Sequence, residues 1–350
     1  MATALGAWVS AGSVQPLTGS VHSKSAFPLA VVAVLTVGCV EQLAECLTDS
    51  GLSLQLTQLA SGPLDSALQL FHVGPLLLLR ARLDRQLHVV GPKLRGHQIL
   101  ALDLAARPET GLCRSHGTVL PSTAVFGLTS HGDVHLTTAD RTDLVLVVLE
   151  QGRFLQLAGA LGWVELEQQG FAANWLQVEA VRFARVRSYL CQLFALAEAC
   201  PGRLTEPGME RLIEQDLLPL LVEALAQGSA ARLDRAPARI ELVKVAQDWM
   251  HRHPDLPITL EELCRQVHAS RRSLIQGFSE HLGMGPMAYL KLQRLHAVRR
   301  LLLAADPEQT TVAAVAARFG FLSAGHFSRD YRRLFGELPR QTLAARLRVA

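Results

Sequence analysis

The chain of 350 residues lacks the features that would assign it to a membrane or metal-binding class. Its longest uncharged apolar run, residues 25–40, is interrupted by Pro28 and is shorter than the roughly 20 residues that a membrane-spanning helix needs. The six cysteines form no C-x-x-C pair and no cluster with histidine, so we predict neither a zinc site nor a disulfide framework. Reduced thiols in a cytoplasmic protein are expected. The alternative is a secretory signal built from Lys24 and the run after it.

The sequence also lacks the short motifs of common catalytic sites. It contains no G-x-S-x-G, no Walker A sequence and no dinucleotide-binding fingerprint. Hydrophobic residues make up 49% of the chain and charged residues 19%, which excludes disorder along its whole length. Because domains usually have about 100–150 residues, we expect two packed domains without recognisable catalytic machinery.

Charge is divided unevenly along the chain. Residues 236–350 contain 17 Lys and Arg against 10 Asp and Glu, a net charge of +7, and the rest of the chain carries 17 against 21, a net charge of −4. Of the 17 C-terminal cations, 15 are arginine, whose planar guanidinium binds phosphate and guanine edges through two hydrogen bonds. This pattern indicates a nucleic-acid partner for the C-terminal third.

The N-terminal two thirds predict a β-rich domain followed by helices. Residues 1–24 have no apolar period and are expected to form a disordered arm, and residues 34–49 have the spacing of a short helix. Between about 52 and 150, seven or eight short apolar runs are separated by turn residues, as in an antiparallel sandwich or barrel. Helical periodicity returns after Gln151, and amphipathic helices are expected over about 176–226. We therefore place a sensor or dimerisation domain at 25–226.

A polar stretch rich in small residues, 227–238, is predicted to be the linker to a C-terminal domain at 239–350. This domain shows helical segments throughout. Thr259 and Glu262 form a capping box at the start of one helix, and after a short turn Ser270 begins a second helix. A helix, a short turn and a second helix form the arrangement that places the second helix in the DNA major groove.

The same arrangement recurs further along the C-terminal domain. Gly320 supplies the turn and Ser323 caps a helix with an apolar face and an arginine-rich face. An Arg-rich helix over 287–304, begun by Pro286, connects the two units. Two helix-turn-helix units joined in this way predict a DNA-binding domain that contacts two segments of the duplex.

Three segments in this order resemble the AraC/XylS family of transcriptional regulators. They are RLHAVRRLL from Arg294, VAAVAARFGF from Val312, and HFSRDYRRLFGELP, which ends at Pro339. The resemblance covers about 240–345. It implies an all-α double helix-turn-helix domain that binds double-stranded DNA in a sequence-specific way, with RNA polymerase as a further partner.

The resemblance also indicates which side chains face the DNA. In the first unit the groove-facing positions match Arg272, Ile275 and Gln276, and in the second they match Gly325, Ser328 and Arg329. Arg271 and Arg332 are further candidates for DNA contacts. Because Gly325 and its neighbour Ala324 replace the polar residues common there, the second unit is expected to read fewer bases. The alternative role for each arginine is a solvated face or an ion pair within the domain.

For the N-terminal domain the resemblance implies a cupin-like β-barrel that senses a small molecule or forms a homodimer. The histidines of the strand region do not have the spacing of metal-dependent cupins, so neither metal nor cofactor is expected; they are His97, His116, His131 and His135. Residues 270–302 are similar to the branch of the family that includes the ethanolamine-utilisation regulator, which would imply an effector such as ethanolamine with a cobalamin.

The fold class predicted from these observations is α+β, with a β-rich cupin-like barrel and an all-α double helix-turn-helix domain. The predicted function is a transcriptional regulator that responds to an effector. Two alternatives stay open: a cupin-type enzyme with a DNA-binding appendage, and a protein that binds nucleic acid without sequence preference.

Overall fold

The computed structural model describes residues 33–106, 111–130, 132–229 and 239–345. The predicted disordered arm at 1–24 and His131 lie outside the described residues, as does most of the predicted linker at 227–238. The described chain consists of a β-rich part up to residue 229 and a helical part from residue 239.

The strands of the β-rich part form two antiparallel sheets. The strands are β1 (Ala33–Val37), β2 (Gln55–Gln58), β3 (Ser66–Val73), β4 (Leu76–Leu83), β5 (Leu87–Pro92), β6 (His97–Asp103), β7 (Arg114–Ser115), β8 (Thr118–Val119), β9 (Ala124–Phe126), β10 (Asp133–Thr137), β11 (Thr142–Glu150) and β12 (Trp175–Gln177). Seven of them pair in the order β1-β3-β4-β11-β6-β9-β12, and five in the order β2-β5-β10-β7-β8.

One face of the seven-stranded sheet packs against the five-stranded sheet, and helices cover its opposite face. The β-rich part contains α1 (Val40–Asp49), α2 (Gln151–Ala160), α3 (Val164–Gln169), α4 (Ala180–Ala199), a 3₁₀ helix (Pro201–Thr205) and α5 (Met209–Ala226). Alternate side chains of β4 point to opposite faces of the sheet: Leu79 joins a core between the two sheets, whereas Leu78 joins a core beneath α4 and α5. The β-rich part therefore has three layers, with the seven-stranded sheet in the middle.

The predicted fold class is confirmed in its two-part division, but the cupin-like closed barrel is not. The strands divide between two sheets of different size instead of closing into one cylinder.

The start of the predicted helix at 34–49 was also wrong, because residues 34–37 belong to β1 and the helix begins at Val40. Val34 is half exposed and Val37 is buried, as expected for a strand that contains β-branched residues and is followed by Gly38. The helices return at Gln151, where the periodicity of the sequence becomes helical, and α2 and α3 precede the helices expected over about 176–226.

The C-terminal part is all-α within its described range. Its helices are α6 (Ile240–Arg252), α7 (Leu260–Gln266), α8 (Arg271–Leu282), α9 (Pro286–Ala304), α10 (Val312–Arg318), α11 (Ala324–Phe335) and α12 (Pro339–Ala345). Two apolar cores lie on either side of α9, one built around Phe278 and one around Tyr331. Among the described helices of the chain, none is long and apolar enough to cross a membrane.

A chain of buried hydrogen bonds joins the two parts of the protein. Nε2 of Gln293, on α9, donates to Oγ1 of Thr57 on β2 and to the hydroxyl of Tyr289. The Tyr289 hydroxyl lies 3.3 Å from Nδ1 of His88, and Nε2 of His88 lies 3.3 Å from Nε2 of His135. This series of hydrogen bonds ends on α6, where Oε1 of Gln247 lies 3.0 Å from Nε2 of His135.

The histidines of this boundary are held in their neutral form. Burial lowers the pKa of His88 well below its usual value, and His135 beside it acts in the same direction. Burial also lowers the pKa of His135 and of His281 on α8, and it lowers the pKa of the neighbouring His116 to about 4. Protonation of these groups therefore opposes the packing of the two parts.

We expect the free energy of unfolding to be greatest above pH 6.5 and to fall as the pH is lowered from 6.5 toward 4. The sign follows because the unfolded chain takes up these protons at a higher pH than the folded chain does, so acid favours unfolding. Thermal unfolding measured between pH 6.5 and pH 4 should show a smaller loss of stability in His88→Asn and in His135→Asn than in the wild type. His97→Asn, outside the boundary, is the control. If both boundary variants lose stability as steeply as the wild type, the buried histidines are not the cause of the acid sensitivity.

Candidate nucleic-acid interface

The helical part contains two helix-turn-helix units with matching local structure. The first consists of α7 and α8, the second of α10 and α11. Oγ of Ser270 accepts a hydrogen bond from the N–H of Ser273, and at the start of α11 Oγ of Ser323 accepts one from the N–H of His326. Both predicted N-caps are therefore present, and when the two serines are aligned in sequence, α8 and α11 begin and end at equivalent residues.

The turns and helix ends are also equivalent in the two units. The turn of the first unit contains His268 with φ of 52°, and the turn of the second contains Gly320 with φ of 80°. The second helices end at Gly283 and Gly336, both in the left-handed conformation that glycine adopts without strain. His268 shows that this conformation can also be held by a side-chain-bearing residue, at a cost that the surrounding turn must offset.

The first recognition helix, α8, presents its predicted DNA-facing side chains to solvent. Arg271, Arg272 and Gln276 are exposed, and Ile275 is 40% exposed although it is apolar. Leu274 of the same helix is fully buried, as predicted for a core position. Neither Arg271 nor Arg272 makes a side-chain hydrogen bond or ion pair with the described residues, so an ion pair within the domain is not their role there.

The second recognition helix, α11, has a similar exposed face with a different composition. Gly325, Arg329 and Arg332 are exposed and Ser328 is partly exposed. In the alignment of the two helices, Gly325 corresponds to Arg272, and Arg329 corresponds to Gln276. The guanidinium groups of Arg329 and Arg332 have no ion-pair partner within the described part of the chain. The structure thus brings all eight predicted residues to the exposed faces of two equivalent helices.

One carboxylate on the first recognition helix is already neutralised. Nη1 of Arg239 donates to both carboxylate oxygens of Glu280 at 3.0 Å, and Nε2 of Gln276 donates to Oε1 of Glu280 at 2.8 Å. Desolvation raises the pKa of Glu280, but these two donors outweigh it and lower the pKa below its usual value. Glu280 therefore stays ionised, and Arg239 offsets the negative charge that would repel a phosphate backbone.

The connecting helix α9 sets the separation of the two units. Its 19 residues make a rod of about 28 Å at about 1.5 Å rise per residue. Nε of Arg294 donates to the carbonyl of Pro254 at 3.1 Å, and Lys291 pairs with Asp330 on α11. These contacts tie α9 to the segment before the first unit and to the second recognition helix.

The β-rich part contacts the C-terminal ends of both recognition helices. These contacts could not be predicted from the sequence. Nη1 of Arg114 donates to the carbonyl of Glu280 at 3.3 Å, and the N–H of Gly62 donates to the carbonyl of Arg333 at 2.9 Å. Glu280 and Arg333 are equivalent positions in the alignment of α8 with α11. Gln58 adds a bond from Nε2 to the carbonyl of Leu334 at 3.0 Å. The last carbonyls of a helix lack partners within it, so these donors satisfy groups that need one.

A second set of contacts that the sequence did not indicate is centred on Arg299 of α9. Nε of Arg299 donates to Oε2 of Glu41 on α1 at 3.0 Å, and its Nη1 donates to Oε1 of Glu337 at 2.6 Å. Burial would raise the pKa of Glu41, but His296 and Arg299 lower it to about 2. Because Glu41 and Arg299 lie near opposite ends of the chain, the sequence gives no signal from which this pair could have been predicted.

The described residues place no group of three or more His, Cys, Asp or Glu side chains where they could hold a metal ion. His88 and His135 do lie together, but the other side chains within hydrogen-bond distance of their ring nitrogens are those of Tyr289 and Gln247. His97 lies apart from them, with Nδ1 close to the carbonyl of Arg95.

A comparison with known protein families points to the helical part of the chain. Residues 263–345 match the helix-turn-helix domain family. Over 124 residues the chain is 38% identical to "Probable thc operon regulatory protein" of Rhodococcus erythropolis, a match that covers 35% of this chain and 37% of the relative. It is 39% identical over 87 residues to "XylDLEGF operon transcriptional activator 2" of Pseudomonas putida, covering 25% of this chain and 55% of the relative.

The chain therefore matches less than two thirds of the length of either relative. A solved structure described as a probable AraC family transcriptional regulator from Rhodopseudomonas palustris CGA009 is 36% identical to this chain. The match covers 30% of this chain and 97% of that one, with a TM-score of 0.28. Similarity to the branch with the ethanolamine-utilisation regulator stays a prediction. The C-terminal part of the chain, with its two helix-turn-helix units, is therefore an AraC-type helix-turn-helix domain, and the chain is similar to proteins described as operon regulators.

Proposed function

We propose that this protein binds double-stranded DNA at specific sequences and regulates transcription there, instead of acting as an enzyme. The observation that carries the proposal is the pair of equivalent recognition helices whose exposed arginines have no partner within the described chain. An arginine left free at a solvent-facing helix can form two hydrogen bonds to a guanine edge or a phosphate. A cytoplasmic location and contact with RNA polymerase are parts of the same proposal.

The eight predicted residues divide into two roles within this proposal. Arg272, Ile275 and Gln276 lie in the first half of α8, the part of a recognition helix that contacts base edges. Arg329 and Ser328 serve the same purpose on α11, where Gly325 offers no side chain. Arg271 and Arg332 are assigned to phosphates, which position the protein without reading sequence. The first unit accordingly supplies most of the sequence preference.

The division of the chain is also part of the proposal. Residues 239–350 form the DNA-binding domain, residues 25–226 form the sensor or dimerisation domain, and residues 227–238 link them. The positive charge of the C-terminal domain predicts that affinity for DNA falls with salt, by about 0.9 in log K per tenfold rise in salt for each phosphate neutralised.

Replacing Arg272 by alanine should weaken binding to the cognate duplex by about 1–3 kcal/mol and relax the preference at one base pair, because a base contact is lost. Arg332→Ala should weaken binding to cognate and scrambled duplexes alike. Fluorescence anisotropy at one fixed salt concentration measures both effects, and Arg187→Ala, on α4, is the control. Equal losses on both duplexes for Arg272→Ala would contradict its role in reading bases.

The separation of the recognition helices yields a prediction about the DNA site. A connecting rod of about 28 Å approaches the ~34 Å repeat of B-DNA, so one chain can place both helices on the same face of the duplex. Inserting about five base pairs between the two contacted boxes moves them to opposite faces and should abolish tight binding by a monomer. Affinity that does not change on insertion would show that the two helices do not engage together.

A further inference from the structure

One large apolar side chain lies almost fully in solvent at the start of the second recognition helix. Leu322 is 93% exposed, whereas the next most exposed large apolar side chain of the described residues, Val181, reaches 59%. Leu322 directly precedes Ser323, the N-cap of α11. Because single exposed apolar residues are common on protein surfaces, the surroundings of Leu322 decide whether it has a role.

The usual structural role of an apolar residue at this position is already filled by a neighbour of Leu322. A residue that precedes the N-cap often packs against the fourth residue of the helix, which in α11 is Phe327. Here the ring of Phe321 lies 5.1 Å from the ring of Phe327, centroid to centroid, and the N–H of Phe321 donates to the carbonyl of Ala316 at 3.0 Å. These contacts and the N-cap bond of Ser323 hold the chain on both sides of Leu322, while its side chain stays in solvent.

The two helix-turn-helix units differ at this position. When the N-cap serines are aligned in sequence, Leu322 corresponds to Ala269, which is small and only partly exposed. Gly325 corresponds to Arg272, the predicted base reader of the first unit. The second unit therefore has no side chain where the first has a guanidinium, and it has a large apolar side chain where the first has a methyl group.

The surface beside Leu322 has open space and unpaired positive charge. A Cβ atom added to Gly325 would meet no other atom within 4 Å. Arg329 and Arg332 of the same helix are exposed and have no ion-pair partner among the described residues, whereas the acidic residue of α11, Asp330, pairs with Lys291. Such a surface fits a polyanion that carries an apolar group.

In the DNA major groove the apolar group that distinguishes one base is the C5 methyl of thymine. We propose that Leu322 packs against the methyl group of a thymine in the box bound by the second unit and sets a preference for thymine there. The inference rests on the proposed sequence-specific DNA binding, and it adds a specificity-determining residue to the eight assigned above. Leu322 lies at the N-terminal end of α11, the end of a recognition helix that contacts base edges.

The proposal gives the two units different ways of reading sequence. The first unit reads bases mainly through the hydrogen-bonding side chains of Arg272 and Gln276. The second unit adds an apolar contact from Leu322, and the missing side chain at Gly325 leaves room for the edge of the base pair to approach.

Replacement of thymine by uracil tests the contact, because uracil lacks only the methyl group and forms the same base pair. The full chain first selects duplexes from a random library, and each thymine of the second box is then replaced singly by uracil. Fluorescence anisotropy at one fixed salt concentration compares the affinities. For the wild type, at least one replacement should weaken binding about threefold to fivefold, as expected for the loss of one methyl group from an apolar contact.

Variants of the protein show whether Leu322 is the side chain that contacts this methyl group. Leu322→Ala should bind the thymine and uracil duplexes equally, and Leu322→Met, which stays apolar, should keep part of the preference. Val181→Ala removes an exposed apolar side chain of α4 and should leave the preference unchanged. Uracil in the first box should affect the wild type and Leu322→Ala alike. Circular dichroism of each variant shows whether it folds.

Three results would overturn the role of Leu322 while leaving sequence-specific binding intact. The selected second box could lack a conserved thymine, or no uracil replacement there could weaken binding by the wild type. Leu322→Ala could also lose as much affinity as the wild type on the same replacement, which would mean that Leu322 contacts a different partner, such as a second copy of the chain. A library that yields no shared sequence would contradict the proposed function and the thymine contact together.

Discussion

The arrangement of the molecule depends on the buried guanidinium of Arg299. It pairs with Glu41 of the β-rich part and with Glu337 beyond the second recognition helix, and it lies over the ring of Phe335 at 4.7 Å from the ring centroid. Removing one partner of a buried ion pair typically costs about 3–5 kcal/mol, because the remaining charge is left without compensation. One side chain on the connecting helix therefore couples the β-rich part, α9 and the second unit.

The same boundary connects the β-rich part to the two recognition helices without covering their exposed faces. The β-rich part donates hydrogen bonds to the last carbonyls of both recognition helices, at Glu280 and Arg333, and leaves their first turns exposed. A change at the boundary can therefore alter the orientation of the helices while their DNA-facing side chains stay available. The buried histidines lie where such a change would act.

Local features of the sequence predicted the helical part well and the boundary not at all. The caps at Ser270 and Ser323 and the turn at Gly320 follow from short-range chemistry, so they could be located without a structure. Short apolar runs predicted strands, but they did not distinguish two sheets from one closed barrel, because strand order depends on pairings between distant segments. The pairing of His88 with His135 and of Glu41 with Arg299 has no signature in sequence spacing.

Selection of bound duplexes from a random library tests the central claim most directly, since it assumes nothing about the sequence of the DNA site. The account predicts enrichment of one asymmetric sequence with two conserved boxes about one helical turn apart, and stronger conservation in the box read by α8. Recovery of sequences without any shared pattern would contradict it, because phosphate contacts alone give no preference between sequences.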